Sequence, residues 1–244
     1  MICVVIPTLN CIEQISTLLP QLKVFSRVVV ADGGSVDGTM QYAAKNAIVA
    51  LGANGRGSQL ALGAKYNCDT QWYFFIHADN ELPADINNII NQQIEKHPTS
   101  AGYLKFKAKS NCFSARMLNI LVTIRCFLLG LPYGDQGLLI SKNMYDDCGG
   151  YPPQMLFEDV ALIEEIKKRF GRRALRPMRG YMLIDITKHL REGIFRRGFK
   201  NLGLLLAYKR GVSVKKLAET YRTQIGRAHV RTPVTEKSRM PSSA

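Results

Sequence analysis

One stretch constrains the fold of this chain more than any other: the apolar run Trp72–Ile76 and the polar residues directly after it. A run of consecutive large apolar residues predicts a strand that is buried on both faces. Asp79 and Glu81 follow this strand, before a turn at Leu82–Pro83, so both carboxylates should lie at its carboxyl end. Ligands of open α/β sheets bind at that edge, and paired carboxylates suit Mg²⁺ or Mn²⁺. The stretch alone fits either a metal site that holds a substrate diphosphate or an ordinary solvated strand end.

The first half of the chain alternates predicted strands with predicted helices. Apolar runs predict strands at Ile2–Ile6, Arg27–Asp32 and Ile48–Ala50. Apolar residues recur at helical spacing from Ile12 to Leu22, and Gly55–Arg56–Gly57 opens a helix that runs to about Tyr66. This alternation implies β-α-β units and an α/β fold with a mostly parallel sheet flanked by helices. With 244 residues, of which 46% are apolar, the chain is expected to form a single domain.

The second half is less regular, although it continues the same alternation. Its predicted strands are Ala101–Ala108, Leu138–Ile140 and Tyr181–Ile186. Its predicted helices are Ala84–Lys96, Met117–Leu131, Val160–Phe170, Ile194–Tyr208 and Val212–Tyr221. Because the last two helices are basic and amphipathic, they raise the question of a partner surface.

The formal net charge of +14 calls for an anionic partner, such as nucleic acid, an acidic membrane leaflet or a phosphorylated substrate. The basic residues are spread over many elements without interleaved aromatic residues, so no nucleic-acid-binding module is recognised and no nucleic-acid partner is expected. Residues 223–244 lack apolar periodicity, and from Ile225 onwards they resemble a translated sequencing adapter. This tail is expected to be non-native or disordered, which leaves residues 1–222 as the folded domain.

A cytoplasmic location is expected. No apolar run reaches the roughly 18 residues that cross a bilayer, and Met1–Pro7 lacks the basic region of a signal peptide. The six cysteines are scattered and favour free thiols in a reducing compartment. Peripheral contact with the acidic inner face of a membrane stays open, with Phe195, Phe199 and Leu204–Leu206 as its apolar part. The alternative is that these side chains pack against the sheet.

Three further groups of polar residues could carry chemistry. Asp32 ends a predicted strand, and Gly33–Gly34–Ser35 after it permits a sharp turn close to a ligand, so that the carboxylate could accept hydrogen bonds from a base or a ribose. Arg56 at a helix start suits a phosphate or a base, unless it is a solvated surface residue. Glu158–Asp159 begins another helix, where the two residues either compensate the helix dipole or supply a general base. The chain contains neither a dinucleotide fingerprint nor a Walker loop.

Five motifs follow one another along the chain, and together they resemble family 2 glycosyltransferases of the GT-A fold. They are Pro7–Asn10, Asp32–Thr39, His77–Glu81, Gly134–Gln136 and Glu158–Asp159. The chain is most similar to a small single-domain bacterial branch that carries P-T-L-N, D-G-G-S-x-D-G-T, H-A-D and G-D-Q. The resemblance covers residues 1–222 and implies a Rossmann-like GT-A domain that uses a nucleotide-diphospho-sugar donor.

The resemblance also implies a role for each matching position. It implies that the donor is bound by Pro7, Thr8, Asp32, Gly34, Ser35 and Arg56. It implies that the donor sugar or the acceptor approaches at Asp135 and Gln136. It assigns a Mg²⁺ or Mn²⁺ ion to Asp79 and Glu81, and the catalytic base to Asp159 with Glu158 beside it. The implied reaction is an inverting, non-processive transfer to an acceptor that the sequence does not identify, whether a lipid, a saccharide or a small molecule.

Some positions depart from the family pattern. Ala61 stands where related sequences carry Asn, the acidic motif ends in Glu81, and the Q-x-x-R-W element of processive members is absent. Lys188, His189 and Arg191 are assigned to part of a basic element that closes over the diphosphate. Two other functions stay open: a nucleotidyltransferase that makes the sugar nucleotide, and an inactive protein that only binds it. A nucleotidyltransferase normally needs a basic Gly-rich triphosphate loop, which Pro7–Asn10 is not.

Overall fold

The computed structural model of the chain describes residues 1–52, 55–66, 69–187, 190 and 193–229, without the side chains of residues 194, 195 and 222–229. Strands in this part of the chain are β1 Ile2–Thr8, β2 Arg27–Asp32, β3 Ile48–Leu51, β4 Trp72–Phe75, β5 Ala101–Ala108, β6 Leu138–Ser141 and β7 Leu175–Ile184. They form one sheet in the order β3-β2-β1-β4-β6-β5-β7. Helices are α1 Ile12–Leu18, α2 Thr39–Ala44, α3 Arg56–Lys65, α4 Ile86–Lys96, α5 Phe113–Leu129, α6 Lys142–Asp147, α7 Glu158–Phe170, α8 Ile194–Lys209 and α9 Val214–His229.

The central strand is β4, as its apolar run predicts. Every residue of this strand is buried, and it lies between β1 and β6. In the half of the sheet formed by β1 to β4, all neighbouring strands are parallel to each other. Strand β5 is likewise parallel to β7. Only β6 is antiparallel, pairing with β4 on one side and β5 on the other among the described strands. The mostly parallel α/β sheet is therefore confirmed, and the carboxyl ends of β1, β2 and β4 meet at one edge.

The predicted last strand, Tyr181–Ile186, is wrong at both ends. Strand β7 begins at Leu175 and ends at Ile184, and its first half contains Pro177 and Gly180. Those two residues interrupt the sequence pattern of a strand. Proline is nevertheless tolerated in β7, because β7 is an edge strand and its missing N–H can face away from the sheet. The pairing with β5 shifts register between Tyr103 and Lys105, which accommodates the irregular segment.

The C-terminal helices differ in length from their predictions. Helix α9 ends at His229 rather than at Tyr221, so helical structure continues past the predicted domain limit at residue 222. Residues 230–244 lie outside the described residues. Leu204 and Leu205 on α8 are buried, whereas Phe199 is 73% exposed, so the predicted apolar surface of α8 packs in part against the protein. The side chain of Phe195 lies outside the described residues. In the described part of the chain, no helix is long and apolar enough to cross a membrane.

The segment before α7 is anchored to the central strand. The Tyr151 ring packs edge-on against Phe75 at 4.8 Å between centroids, and its backbone N–H donates to the Tyr145 hydroxyl at 3.1 Å. Phe157, directly before α7, has a φ of +61°, a strained value for a bulky residue, and its ring lies 5.1 Å from that of Tyr208 on α8. These contacts fix where α7 starts relative to the carboxyl end of β4.

Candidate active site

The loop after β2 is organised around Asp32, whose side chain is fully buried. One carboxylate oxygen accepts hydrogen bonds from the hydroxyls of Thr8 at 2.7 Å and Ser35 at 2.6 Å. The other accepts from the backbone N–H groups of Gly34 at 2.9 Å and Ser35 at 2.7 Å. Burial alone would raise the pKa of Asp32, but the donated hydrogen bonds from Ser35, Thr8 and Gly34 outweigh it and lower the pKa.

The structure therefore brings together Pro7, Thr8, Asp32, Gly34 and Ser35, as the sequence predicts. Within this group the acceptor sites of Asp32 are occupied by Gly34 and Ser35 of the loop and by Thr8 of β1, which makes Asp32 the residue that fixes the loop. The Thr8 and Ser35 side chains are also buried, and Pro7 lies in buried β1. Gly34 has a φ of +97° with open space beside it, so its contribution is backbone conformation and a free approach.

A second polar residue, Gln59, ties β1 to β2 at the same edge. Its side-chain N–H₂ donates to the carbonyl oxygens of Thr8 at 2.6 Å and Ala31 at 3.0 Å. Gln59 lies on α3, and its side chain is buried. Helix α3 is thereby held over the ends of both strands, which places its first residue, Arg56, beside the cluster.

Arg56 forms an ion pair with Glu158, the first residue of α7. Glu158 is only 1% exposed, whereas the Arg56 side chain is 40% exposed. Burial raises the pKa of Glu158 even though Arg56 opposes the rise, and the neighbouring carboxylate of Asp159 adds to it. The second oxygen of Glu158 has no hydrogen-bond partner among the described residues. Glu158 thus holds the guanidinium in place from within the protein.

Asp159 faces the turn Gly134–Gln136. One of its carboxylate oxygens accepts a hydrogen bond from the Gly134 backbone N–H at 2.8 Å, and the other accepts from Val160 at 2.7 Å. A Cβ on Gly134 would lie 2.7 Å from His77 Nε2 and 3.6 Å from Asp159 Oδ2. His77 and Asp159 therefore flank Gly134, and only glycine leaves room there. Asp159 is half-buried, so it keeps contact with the opening that Glu158 lacks.

Three carboxylates lie around this turn. Burial raises the pKa of Asp135; Asp159 and Asp79 add to the rise, while Arg125 and Arg56 oppose it. Asp79 and Asp159 thus each lie within electrostatic reach of Asp135. Oδ1 of Asp135 is buried and has no hydrogen-bond partner in the described part of the chain, and Asp79 is exposed. Among the described residues, no group of three or more Asp, Glu, His and Cys side chains is arranged to hold a metal ion. Mg²⁺ is commonly held by one or two carboxylates together with substrate phosphate oxygens and waters, and an unpartnered carboxylate oxygen fits that donor set.

Two predicted site residues point to other partners. Glu81 pairs with Lys109, and its backbone forms a bridge with Leu183 of β7, so one oxygen of its carboxylate is engaged by that lysine. Gln136 is 1% exposed; its amide donates to the Leu104 carbonyl at 3.1 Å and accepts from Arg125 at 3.0 Å. In this conformation Gln136 supports the turn rather than facing the opening. Lys188, His189 and Arg191 lie outside the described residues.

Four site residues were not assigned from the sequence: Gln59, His77, Asn80 and Gly134. Asn80 is buried, accepts from the His77 backbone N–H at 2.7 Å and donates to the Asp135 carbonyl at 2.9 Å. It links the loop after β4 to the turn that carries Asp135. His77, Asn80 and Gly134 lie inside the motifs that the sequence singled out, so their motif membership was the available signal. Gln59 had none, because its partners are backbone carbonyls of distant strands.

The likeness to solved structures shows that the chain has the GT-A class of glycosyltransferase fold. Mannosyl-3-phosphoglycerate synthase from Rubrobacter xylanophilus is 15% identical with a TM-score of 0.57, over 78% of this chain and 69% of that protein. Glucosyl-3-phosphoglycerate synthase from Mycobacterium tuberculosis, solved with Mn²⁺ and UDP, is 16% identical with a TM-score of 0.54, over 75% and 70%.

TarS from S. aureus, in its 1–349 form, is 15% identical with a TM-score of 0.55, over 75% of this chain. The matched part spans 57% of that TarS chain. No protein-family model matches the sequence, and no curated protein matches it either. The likeness thus lies in the fold, and the chemistry has to be argued from the site.

Proposed function

We propose that the chain is a glycosyltransferase that takes a sugar from a nucleotide-diphospho-sugar donor. One observation carries the proposal: Asp135 and Asp159 lie beside Arg56, with Asp79 near Asp135, at the carboxyl edge of a GT-A sheet. The solved structures of similar fold support the donor class, since they include complexes with UDP, UDP-GlcNAc and UDP-Glc. A uridine nucleotide is therefore the first donor to test.

The donor's diphosphate has two kinds of cationic partner in this proposal. Asp79 and Asp135 would hold Mg²⁺ or Mn²⁺, and the Mn²⁺ in the glucosyl-3-phosphoglycerate synthase complexes supports that choice. When bound, such an ion offsets negative charge on the departing diphosphate. Arg56, at the N-terminus of α3, supplies a second positive group whose position is fixed by Glu158. Glu81 pairs with Lys109 through one carboxylate oxygen, and its part in the metal site stays a prediction.

Asp159 is the proposed general base. Its two hydrogen bonds come from backbone N–H groups, which orient an ionised carboxylate and leave lone pairs for a further donor. It takes the proton of the acceptor hydroxyl while that oxygen forms a bond to the anomeric carbon. The bond between that carbon and the diphosphate oxygen breaks, and the nucleoside diphosphate leaves with the electron pair. The single displacement inverts the anomeric configuration. Glu158 is a positioning residue here, because its charge is buried against Arg56.

The substitution Asp159→Asn tests this assignment. We expect loss of nucleoside diphosphate release from UDP-sugars, by at least the 10²-fold that general bases typically contribute. Donor binding, measured by calorimetry with Mn²⁺, should be retained, because the amide keeps the side chain's size. Asp147→Asn, at an exposed position on α6, is the matched control and should leave both quantities unchanged.

Full activity of the Asp159→Asn variant would remove Asp159 from the base role. Release of pyrophosphate from a nucleoside triphosphate, in place of diphosphate release from a sugar nucleotide, would instead favour the nucleotidyltransferase. Donor binding without turnover of any acceptor by the unmodified chain would favour the inactive sugar-nucleotide-binding protein.

A further inference from the structure

Helix α5 exposes a continuous apolar stripe. Phe113, Ile120, Ile124, Phe127 and Leu128 recur at helical spacing, and each of these side chains is exposed. Phe113 and Phe127 are both 76% exposed, and such high exposure is unusual for a phenylalanine side chain at a protein surface. We call these five residues the α5 face. An exposed apolar stripe of this length marks an interaction surface rather than scattered surface residues.

Basic side chains line a cavity beside the α5 face. The cavity, of about 980 Å³, lies between α5, β5 and β7, and Phe127 and Leu128 form part of its wall. Its cationic lining residues are Lys105, Arg172, Arg173 and Arg176, and none of the described Asp or Glu residues lines it. The sequence has no acidic residue between Glu95 and Asp135, nor between Glu165 and Asp185. The two acid-free segments pair in space as β5 and β7.

Aromatic and cationic side chains also meet at this cavity, whose wall includes Tyr181 as well as Lys105. Lys105 and Lys107 lie 5.8 and 5.6 Å from the centroid of the Tyr181 ring, which is 48% exposed. An amphipathic ring beside lysines, next to a helix with exposed Phe, Ile and Leu, combines the features of a protein surface that lies in a lipid interface.

We propose that the α5 face and the cations beside it bind the surface of an anionic lipid bilayer. The apolar side chains enter the interface, and the cationic residues lie at the level of the phosphate groups. Nucleic acid fits less well, because the aliphatic side chains of Ile120, Ile124 and Leu128 cannot stack on bases. A second copy of the chain fits less well, because like charges on the two faces would repel. The proposal is independent of the transfer reaction.

Co-sedimentation with vesicles tests the proposal. We expect the full chain to bind vesicles of phosphatidylcholine with phosphatidylglycerol, and to bind pure phosphatidylcholine at least tenfold more weakly. Phe127→Ser should weaken binding to the anionic vesicles about tenfold, since it removes one large inserted side chain. The matched control is Val24→Ser, which removes an apolar side chain, 57% exposed, from the segment before β2 and should leave binding unchanged.

The charged part has its own matched pair. Arg173→Gln with Arg176→Gln should weaken binding to anionic vesicles severalfold, and 0.5 M NaCl should weaken binding of the unmodified chain. Lys23→Gln with Lys45→Gln removes two exposed charges near the opposite edge of the sheet and should leave binding unchanged. Failure of the unmodified chain to bind either vesicle would overturn the proposal. So would equal losses in the Phe127 and Val24 variants, or binding to RNA in place of vesicles.

Discussion

Two aspartates of the site differ in what they can still bind. Asp32 is fully buried and accepts four hydrogen bonds from its own loop and from Thr8, so its carboxylate stabilises the turn after β2. Asp159 is half-buried and accepts two backbone hydrogen bonds. A carboxylate has about four lone-pair sites, so Asp159 retains capacity for a substrate hydroxyl and Asp32 does not.

His77 gives the site a measurable pH dependence. His77 is half-buried, and the desolvation of its imidazole together with the positive charge of Arg56 lowers its pKa to about 3. In the unfolded chain His77 takes up a proton near pH 6.5, whereas in the folded chain it stays neutral until the pH falls towards 3. The free energy of unfolding therefore decreases as pH falls from above 6.5 towards 3. For His77 alone we expect a loss of about 2 kcal/mol between pH 7.5 and pH 5, a range largely above the carboxylate titrations.

Urea unfolding of the unmodified chain and of His77→Gln at both pH values measures this contribution. The difference between the two free energies of unfolding should shrink by about 2 kcal/mol on going to pH 5. His97→Gln is the control, because His97 lies after α4 on another part of the surface. A pH-independent difference for His77→Gln would contradict an imidazole that stays neutral in the folded chain.

For individual residues, the sequence predicts which ones lie near one another at the site but not which partners each one contacts. Asp79, Asp135, Asp159 and Arg56 could be assigned because each follows a strand or begins a helix or turn. Glu81 was assigned to the metal by its spacing from Asp79, yet it pairs with Lys109 at the end of β5. That partner becomes visible only when the position of β5 and β7 beside the loop is known.

At the scale of the elements, helix α3 packs very closely against the segment before α7, next to the site. A Cβ on Gly57 would lie 2.3 Å from the Pro152 carbonyl oxygen and 2.7 Å from that of Gln154. Both contacts involve backbone, which cannot rotate away as a side chain can. The glycine therefore lets α3 approach closely enough for Arg56 to reach Glu158.

Gly57→Ala should force α3 away from this segment. We expect a loss of roughly 1–3 kcal/mol in the free energy of unfolding, and weaker binding of a UDP-sugar because Arg56 moves with the helix. Gly203→Ala on α8 is the matched control, since nothing lies within 4 Å of its added Cβ. There the substitution should stabilise the chain, by up to roughly 1 kcal/mol. Unfolding in urea gives both values, and a stabilising Gly57→Ala would refute the close approach.

The elements themselves were predictable where their pattern is strong. Alternation of apolar runs with helical periodicity located β1, β2, β4 and the start of α3. Strand β6 was located too, but its antiparallel direction was not, because an apolar run has no polarity. Strand β7 was misplaced because Pro177 and Gly180 interrupt its pattern, and only its position at the edge of the sheet makes them acceptable.

Across the whole molecule, the site joins two parts of the chain that are distant in sequence. Thr8, Asp32 and Arg56 come from the first third, whereas Gly134 and Asp159 come from the turn and helix that follow β5. Asn80 bridges the parts through its hydrogen bond to the Asp135 carbonyl. A ligand that contacts both parts should therefore stabilise the folded domain as a unit, in proportion to its occupancy.

The same linkage makes Asp79 testable through global stability. With Mn²⁺ present, a bound UDP-sugar at 100 times its Kd should stabilise the unmodified chain by about 2.7 kcal/mol. Asp79→Asn should lose most of the part of this gain that depends on Mn²⁺, because an amide is a weaker ligand for a hard cation than a carboxylate. Asp85→Asn, which changes an exposed aspartate of the same loop, should keep it. Thermal unfolding with and without the metal and the nucleotide separates the stabilisation that depends on Mn²⁺ from the stabilisation that the nucleotide gives alone. An undiminished Mn²⁺-dependent gain in Asp79→Asn would mean that the cation is held by other residues, with Asp135 and Asp159 the next carboxylates to test.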